Sequence, residues 1–143
     1  MIPERYAPVT YSLFRIVFGY VFLLYGSQKL FGWFGGPQVP ITSWPQGPAG
    51  LIETVCGLLI LLGLFTKVAA FLASGEMAFA YFYIHVMQLG QPPMGPGGAM
   101  GLLVPLMNKG IDAALFCFAF LYIATRGSGI WSLDAMMGKS KGR

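Results

Sequence analysis

Residues 51–64 read LIETVCGLLILLGL, and apart from Glu53 and Thr54 every position is apolar or glycine. A helix this apolar with one carboxyl in it belongs either to the core of a large soluble bundle or to a membrane span. The composition around it decides. The 143 residues are 56 % hydrophobic and 10 % charged, with a mean hydropathy of +0.67, whereas a soluble domain is about a quarter charged. Nine Lys and Arg with five Asp and Glu cannot cover the outside of a 15.5 kDa globule, so the chain reads as a membrane protein.

Outward from that stretch, Pro and Gly clusters divide the sequence into four apolar segments, about 9–31, 48–66, 68–89 and 105–125. Each is close to the ~20 residues that cross a bilayer. Pro8, Pro48 and Pro105 stand at or just before expected helix starts, where a missing N–H costs nothing. The expected fold is all-α: one integral membrane four-helix bundle over residues 1–143. Arg15 interrupts the first segment and no small-residue cleavage site follows, so this segment is expected to be a span and not a cleaved signal. Cys56 and Cys117 lie inside spans without CxxC spacing and read as small buried side chains.

Four spans gather Arg5, Lys67, Arg126, Lys139, Lys141 and Arg143 on one side and leave Lys29 and Lys109 on the other. That asymmetry puts both termini in the cytoplasm. The formal charge of +4 then faces lipid head groups and implies no nucleic-acid partner.

With ~1.5 Å of rise per residue, position along a span becomes depth. Counted from the cytoplasmic ends, Arg15 and Glu76 fall at ~9 and ~12 Å, Glu53 and Asp112 at ~20 Å, His85 at ~25 Å and Lys29 at ~30 Å. Facing lipid, each would cost roughly 2.5 to 3.5 kcal/mol, so all should turn inward and find partners. Helical spacing agrees. Arg15, Gly19, Phe22, Gly26 and Lys29 form one stripe of the first span, Gly50, Glu53 and Gly57 one of the second, and Asn108, Asp112, Leu115, Ala119, Tyr122 and Arg126 one of the fourth. Two layers result. The inner layer reads as a structural ion pair between Arg15 and Glu76. In the outer layer two carboxyls, Glu53 and Asp112, share one well-placed cation, Lys29, which leaves one negative charge over unless an acid holds a proton. Glu53 and Asp112 are therefore the candidate proton-handling residues, in a pocket with Lys29, His85 and Trp33 as further ligand-binding candidates.

His85 is nine residues from Glu76, half a turn away on an α-helix, so the two should not share a face. A single histidine excludes a bis-His haem within one chain, leaving only His85 with Met87 or Met94 as an axial pair. No haem, flavin or metal motif is present in the sequence. Trp33 and Trp44 suit an aromatic belt at the outer interface or a lid over the pocket.

Four stretches resemble the DoxX family of small four-span membrane proteins. RIVFGYVFLLYGSQKLFG at 15–32 is similar to its opening pattern through Arg15, Gly19, Gly26 and Lys29, and IETVCGLLILLGLFTKVAA through Glu53, Gly57, Gly63, Leu64 and Thr66. GEMAFAYF at 75–82 matches through Glu76, Met77 and Ala80. NKGIDAAL and GSGIWSLD match through Asn108, Gly110, Asp112, Gly127, Gly129, Ser132, Leu133 and Asp134. Asp112 stands where the pattern has glutamate, and the Gly-, Pro- and Met-rich connection at 90–101 is unlike the usual sequence there. The resemblance implies a four-helix bundle associated with respiratory or quinone-linked oxidoreductases, among them thiosulfate:quinone and quinol-oxidising complexes, and with quinone stress. It supplies no catalytic mechanism. The expectation drawn here is a multi-pass protein of the bacterial inner membrane, a quinone-linked subunit that meets the lipid bilayer and a redox partner or further copies of itself. A non-catalytic assembly subunit is the alternative, and a small transporter or proton path a weaker one, because four helices leave little room for alternating access.

Overall fold

The computed structural model describes residues 3–87 and 104–138. The helices are α1 (Ala7–Phe31), α2 (Gln46–Leu62), α3 (Thr66–Ala80), α4 (Ile111–Arg126) and the single turn α5 (Leu133–Met136). A π-helical turn, Tyr81–Val86, continues α3, and short 3-10 turns, Glu4–Tyr6 and Trp33–Gly35, flank α1. No strand occurs among the described residues, so the chain is all-α.

Several boundaries differ from the sequence reading: α2 ends at Leu62 and not at Thr66, and α3 starts at Thr66 and not at Val68. The fourth apolar segment becomes helical at Ile111 and not at Pro105, because residues 105–109 fold as a turn closed by Gly110 N–H to Pro105 O (3.0 Å) and to Asn108 Oδ1 (2.8 Å). The third segment leaves α-geometry at Tyr81, where the wider π-turn begins. The connection at 90–101 with Met94, the end of the third segment at Leu89, and Lys139, Lys141 and Arg143 lie outside the described residues.

Helices α1 and α2 pack on each other at glycines. A Cβ on Gly19 would stand 2.5 Å from Leu61 N, and one on Gly57 would stand 2.6 Å from Leu23 N, so the two backbones touch where side chains would hold them apart. Helices α3 and α4 meet through Ala69, Ala70, Ala73, Ala113 and Phe120, all buried, and Ser74 Oγ donates to Cys117 O (2.8 Å) between them. Phe22 of α1 lies between Phe116 and Phe120 of α4, with ring centroids 5.5 and 4.6 Å apart.

The link from α2 to α3 is only three residues long. Gly63, at φ 70°, ends α2 with its N–H on Ile60 O (3.2 Å) and the next N–H, of Leu64, on Leu59 O (2.9 Å), which satisfies two terminal carbonyls in a Schellman arrangement. The start of α3 has no cap of its own. Asp134, far along the chain, accepts there from Phe65 N and Thr66 N, each at 3.2 Å, and its own N–H bonds Gly63 O (3.0 Å).

The 28-residue helical stretch Glu4–Phe31 is long and apolar enough to cross a membrane; α2, with 17 residues, is shorter. Large apolar side chains face outward on all four long helices, among them Val17 and Tyr20 of α1, Val55 and Leu58 of α2, Phe71 and Leu72 of α3, and Leu115 and Phe118 of α4. An outer surface of this kind suits hydrocarbon and not water.

Candidate functional site

A cavity of about 420 Å³ opens between the Lys29 end of α1, the first half of α2, the later half of α3 with its π-turn, and the start of α4. Apolar and aromatic side chains make most of its wall. The charged groups on it are Lys29, Glu53, Glu76, Lys109 and Asp112, together with His85.

Glu53 faces α1 from the glycine stripe of α2 and is 2 % exposed. Lys29, one turn from the end of α1, reaches it with Nζ 2.5 Å from Oε1, the one ion pair among the described residues. Gly50 makes this contact geometrically possible, since a Cβ there would lie 3.0 Å from the Lys29 Cβ. The second oxygen, Glu53 Oε2, is buried with no partner. Asp112, in the first turn of α4, is more exposed and accepts from Tyr25 Oη at 3.1 Å.

Glu76 does not sit where its depth suggested. The expected Arg15–Glu76 ion pair is absent: Glu76 lines the cavity alongside Glu53, its Oε2 buried and unpartnered, and Arg15 donates to backbone carbonyls instead. Nη1 of Arg15 reaches Ile60 O (2.5 Å) and Leu61 O (2.8 Å), and Nη2 reaches Trp131 O. The physical reason is the end of α2. Its last carbonyls carry the negative end of the dipole, so a buried guanidinium beside Gly63 finds two acceptors there, Ile60 O keeping its bond from Gly63 N–H as well, and a third in Trp131 O, without any acid.

His85 also departs from expectation, because it shares the cavity with Glu76. Nine residues make half a turn only on a regular α-helix. Here the last five residues of that spacing run through the π-turn, where each advances by a smaller angle. His85 Nδ1 is 3.0 Å from Asn108 O. A carbonyl only accepts, so Nδ1 carries the hydrogen, and in the neutral ring Nε2 is left as the acceptor.

Trp33 does not line the cavity. It is 55 % exposed and packs on Phe31, with ring centroids 4.9 Å apart. Of the two tryptophans read as belt or lid, only Trp44 lines the cavity: it meets Phe79 edge-on at 6.0 Å and donates to Tyr83 Oη at 3.4 Å. Tyr25 was missed as a site residue. It lies four residues before Lys29, one helical turn along the same face, and that spacing was there to be read.

Helices with an apolar exterior around a ligand-sized cavity holding three carboxyl side chains define a helical membrane protein with a polar cavity in its bundle. Residues 11–86 match the family described as DoxX, and the chain belongs to that family. It is 36 % identical over 141 residues to an uncharacterized protein of Haemophilus influenzae, covering 92 % of each chain. It is 28 % identical over 141 residues to an uncharacterized membrane protein of Mycobacterium tuberculosis, covering 92 % of this chain and 83 % of that one. No solved structure matches it.

Proposed function

We propose that the cavity takes the head group of an isoprenoid quinone or quinol, and that the chain is a quinone-linked subunit of an oxidoreductase in the bacterial inner membrane. Four spans with both termini in the cytoplasm complete this reading. The observation that carries it is the meeting of Lys29, Glu53, Glu76 and Asp112 in one cavity walled by Phe22, Phe116 and Trp44. Its ~420 Å³ falls within the range usual for small-molecule sites. Aromatic faces suit a flat ring, and carboxyls at its edge can hydrogen-bond the ring oxygens and exchange protons with them. Electrons would pass to or from a redox group on a partner chain.

A non-catalytic assembly subunit is the second reading. It is favoured by the other end of the bundle, where Arg15 bonds three backbone carbonyls and Asp134 bonds the start of α3, both holding the chain together.

Mass spectrometry of the small molecules and proteins retained through mild-detergent purification separates the two. Stoichiometric quinone supports the first reading; a redox partner on a quinone-free bundle supports the second. Within the first, Glu53→Gln keeps shape and hydrogen bonding, so it should leave the thermal midpoint within a few degrees and abolish quinone retention. Retention equal to that of the parent would make Glu53 a packing residue.

A further inference from the structure

The cavity wall is divided between polar and apolar sides. Lys29 reaches it from the end of α1, Asp112 from the first turn of α4, and Tyr25 Oη donates to Asp112 at 3.1 Å across the seam of these two helices. The side between α2 and α3 is different. Pro48, Ala49 and Ile52 form one stripe of α2 and share the cavity with Phe79 of α3 and Ile84 of the π-turn. The polar groups of these elements are engaged elsewhere: Glu53 pairs with Lys29, His85 meets Asn108, and Glu76 lies one turn deeper than Phe79 and Ala80. Both sides are thin, because Trp44, Phe79 and Ile84 line the cavity and are also exposed on the outside, as are Tyr25 and Asp112. Trp44 bridges from α2 to α3 by an edge contact with Phe79, centroids 6.0 Å apart, and by its N–H on Tyr83 Oη at 3.4 Å, longer than a usual hydrogen bond. It is a lightly held cover.

An isoprenoid quinone brings a polar ring and a long apolar chain. A cavity of about 420 Å³ takes the ring and the first part of the chain, so the rest has to leave through the wall. Leaving beside Tyr25, it would lay hydrocarbon over the Asp112 carboxyl, and cutting a charged group off from water is expensive. Gln46 and Lys109, exposed where the cavity meets the starts of α2 and α4, set the same obstacle there. Between α2 and α3 the chain exchanges lipid for apolar side chains and covers no charge. From this division of the wall we infer a tail subsite: the chain lies between Ile52 and Phe79 and passes into the bilayer beside Trp44, while the ring turns to Lys29 and Asp112. The inference rests on the quinone reading and adds the orientation of the ligand and the seam by which its chain leaves.

Photolabelling of the unaltered full chain tests it. Decylubiquinone carrying a carbene-generating diazirine midway along its chain is equilibrated with the detergent-solubilised protein, irradiated, and its adducts are located by peptide mass spectrometry. Excess plain decylubiquinone, whose binding is followed separately by calorimetry, defines the adducts that it competes away. These should fall on Trp44, Phe79 and Ile84 about tenfold more often than on Ile111 and Leu115, the exposed apolar residues beside Asp112. Competed adducts that favour Ile111 and Leu115, that divide evenly between the two seams, or that miss Trp44, Phe79 and Ile84 altogether overturn the tail subsite and leave the quinone reading standing. If decylubiquinone does not bind the folded protein in calorimetry, the quinone reading fails and this inference with it.

Discussion

Arg15 is fully buried, yet no carboxylate touches it. An isolated charge is expensive in a low-dielectric interior, and what makes it tolerable here is three backbone carbonyls from two separate parts of the chain, Ile60 and Leu61 at the end of α2 and Trp131 near the C-terminus. Arg15→Met should therefore strand several acceptors and cost at least ~3 kcal/mol in equilibrium unfolding in detergent. Glu76→Leu should neither rescue nor deepen that loss, the two changes adding within ~0.5 kcal/mol because the residues share no contact. Recovery of stability in the double variant would restore the ion pair that the sequence suggested. Glu76 itself lines the cavity and takes no part in the inner clamp.

At the scale of the element, the α2–α3 link shows how a short connection is made rigid from a distance. Gly63 can take its left-handed turn without strain, and it also lacks a Cβ that would stand 2.9 Å from Ser132 Cα and 3.1 Å from Arg15 Cζ. The C-terminal segment thus packs directly onto the turn, and Asp134 caps the helix that follows. A carboxylate at a helix N-terminus gains from the hydrogen bonds and from the dipole together. Asp134→Ala should cost ~1 to 2 kcal/mol, with faster hydrogen exchange at the Phe65 and Thr66 amides as the local signature. Unchanged exchange at those two amides would show that the cap contributes nothing. The π-turn is the second element whose geometry matters, since it brings His85 round to the cavity that Glu76 already lines.

For the whole molecule, the clamp and the cavity lie on opposite halves of α1, with Arg15 in the first half and Lys29 near the end of the second. If four segments span with both termini inside, the clamp is near the cytoplasmic face and the cavity opens toward the outer one. A single cysteine at Gln38, in a background lacking Cys56 and Cys117, should react with an impermeant maleimide on intact spheroplasts. One at Lys67 should react only after lysis. The reverse pattern would exchange the two faces, and with them the side from which a ligand head group enters.

The sequence by itself determined the class of molecule and the inward faces of α1 and α2; on α4 the inward face is Ala113, Phe116, Phe120 and Ile123, and Leu115 and Tyr122 of the expected stripe are exposed. Too few charges for a water-facing surface imply a membrane protein, and the glycine stripes through Gly19 and Gly57 mark where α1 and α2 touch. The neighbourhood of Lys29, Glu53 and Asp112 was also legible, because on straight helices spacing gives the face and counting gives the depth. Partner choice was not legible. Only the tertiary structure decided that Arg15 bonds carbonyls and not Glu76, that Glu76 and His85 line one cavity, and that Trp44 lines it while Trp33 does not. The first depends on carbonyls gathered where α2 ends and on a C-terminal segment folded back onto a link some seventy residues earlier, and the second on a π-turn that changes the angle per residue; residue spacing carries neither.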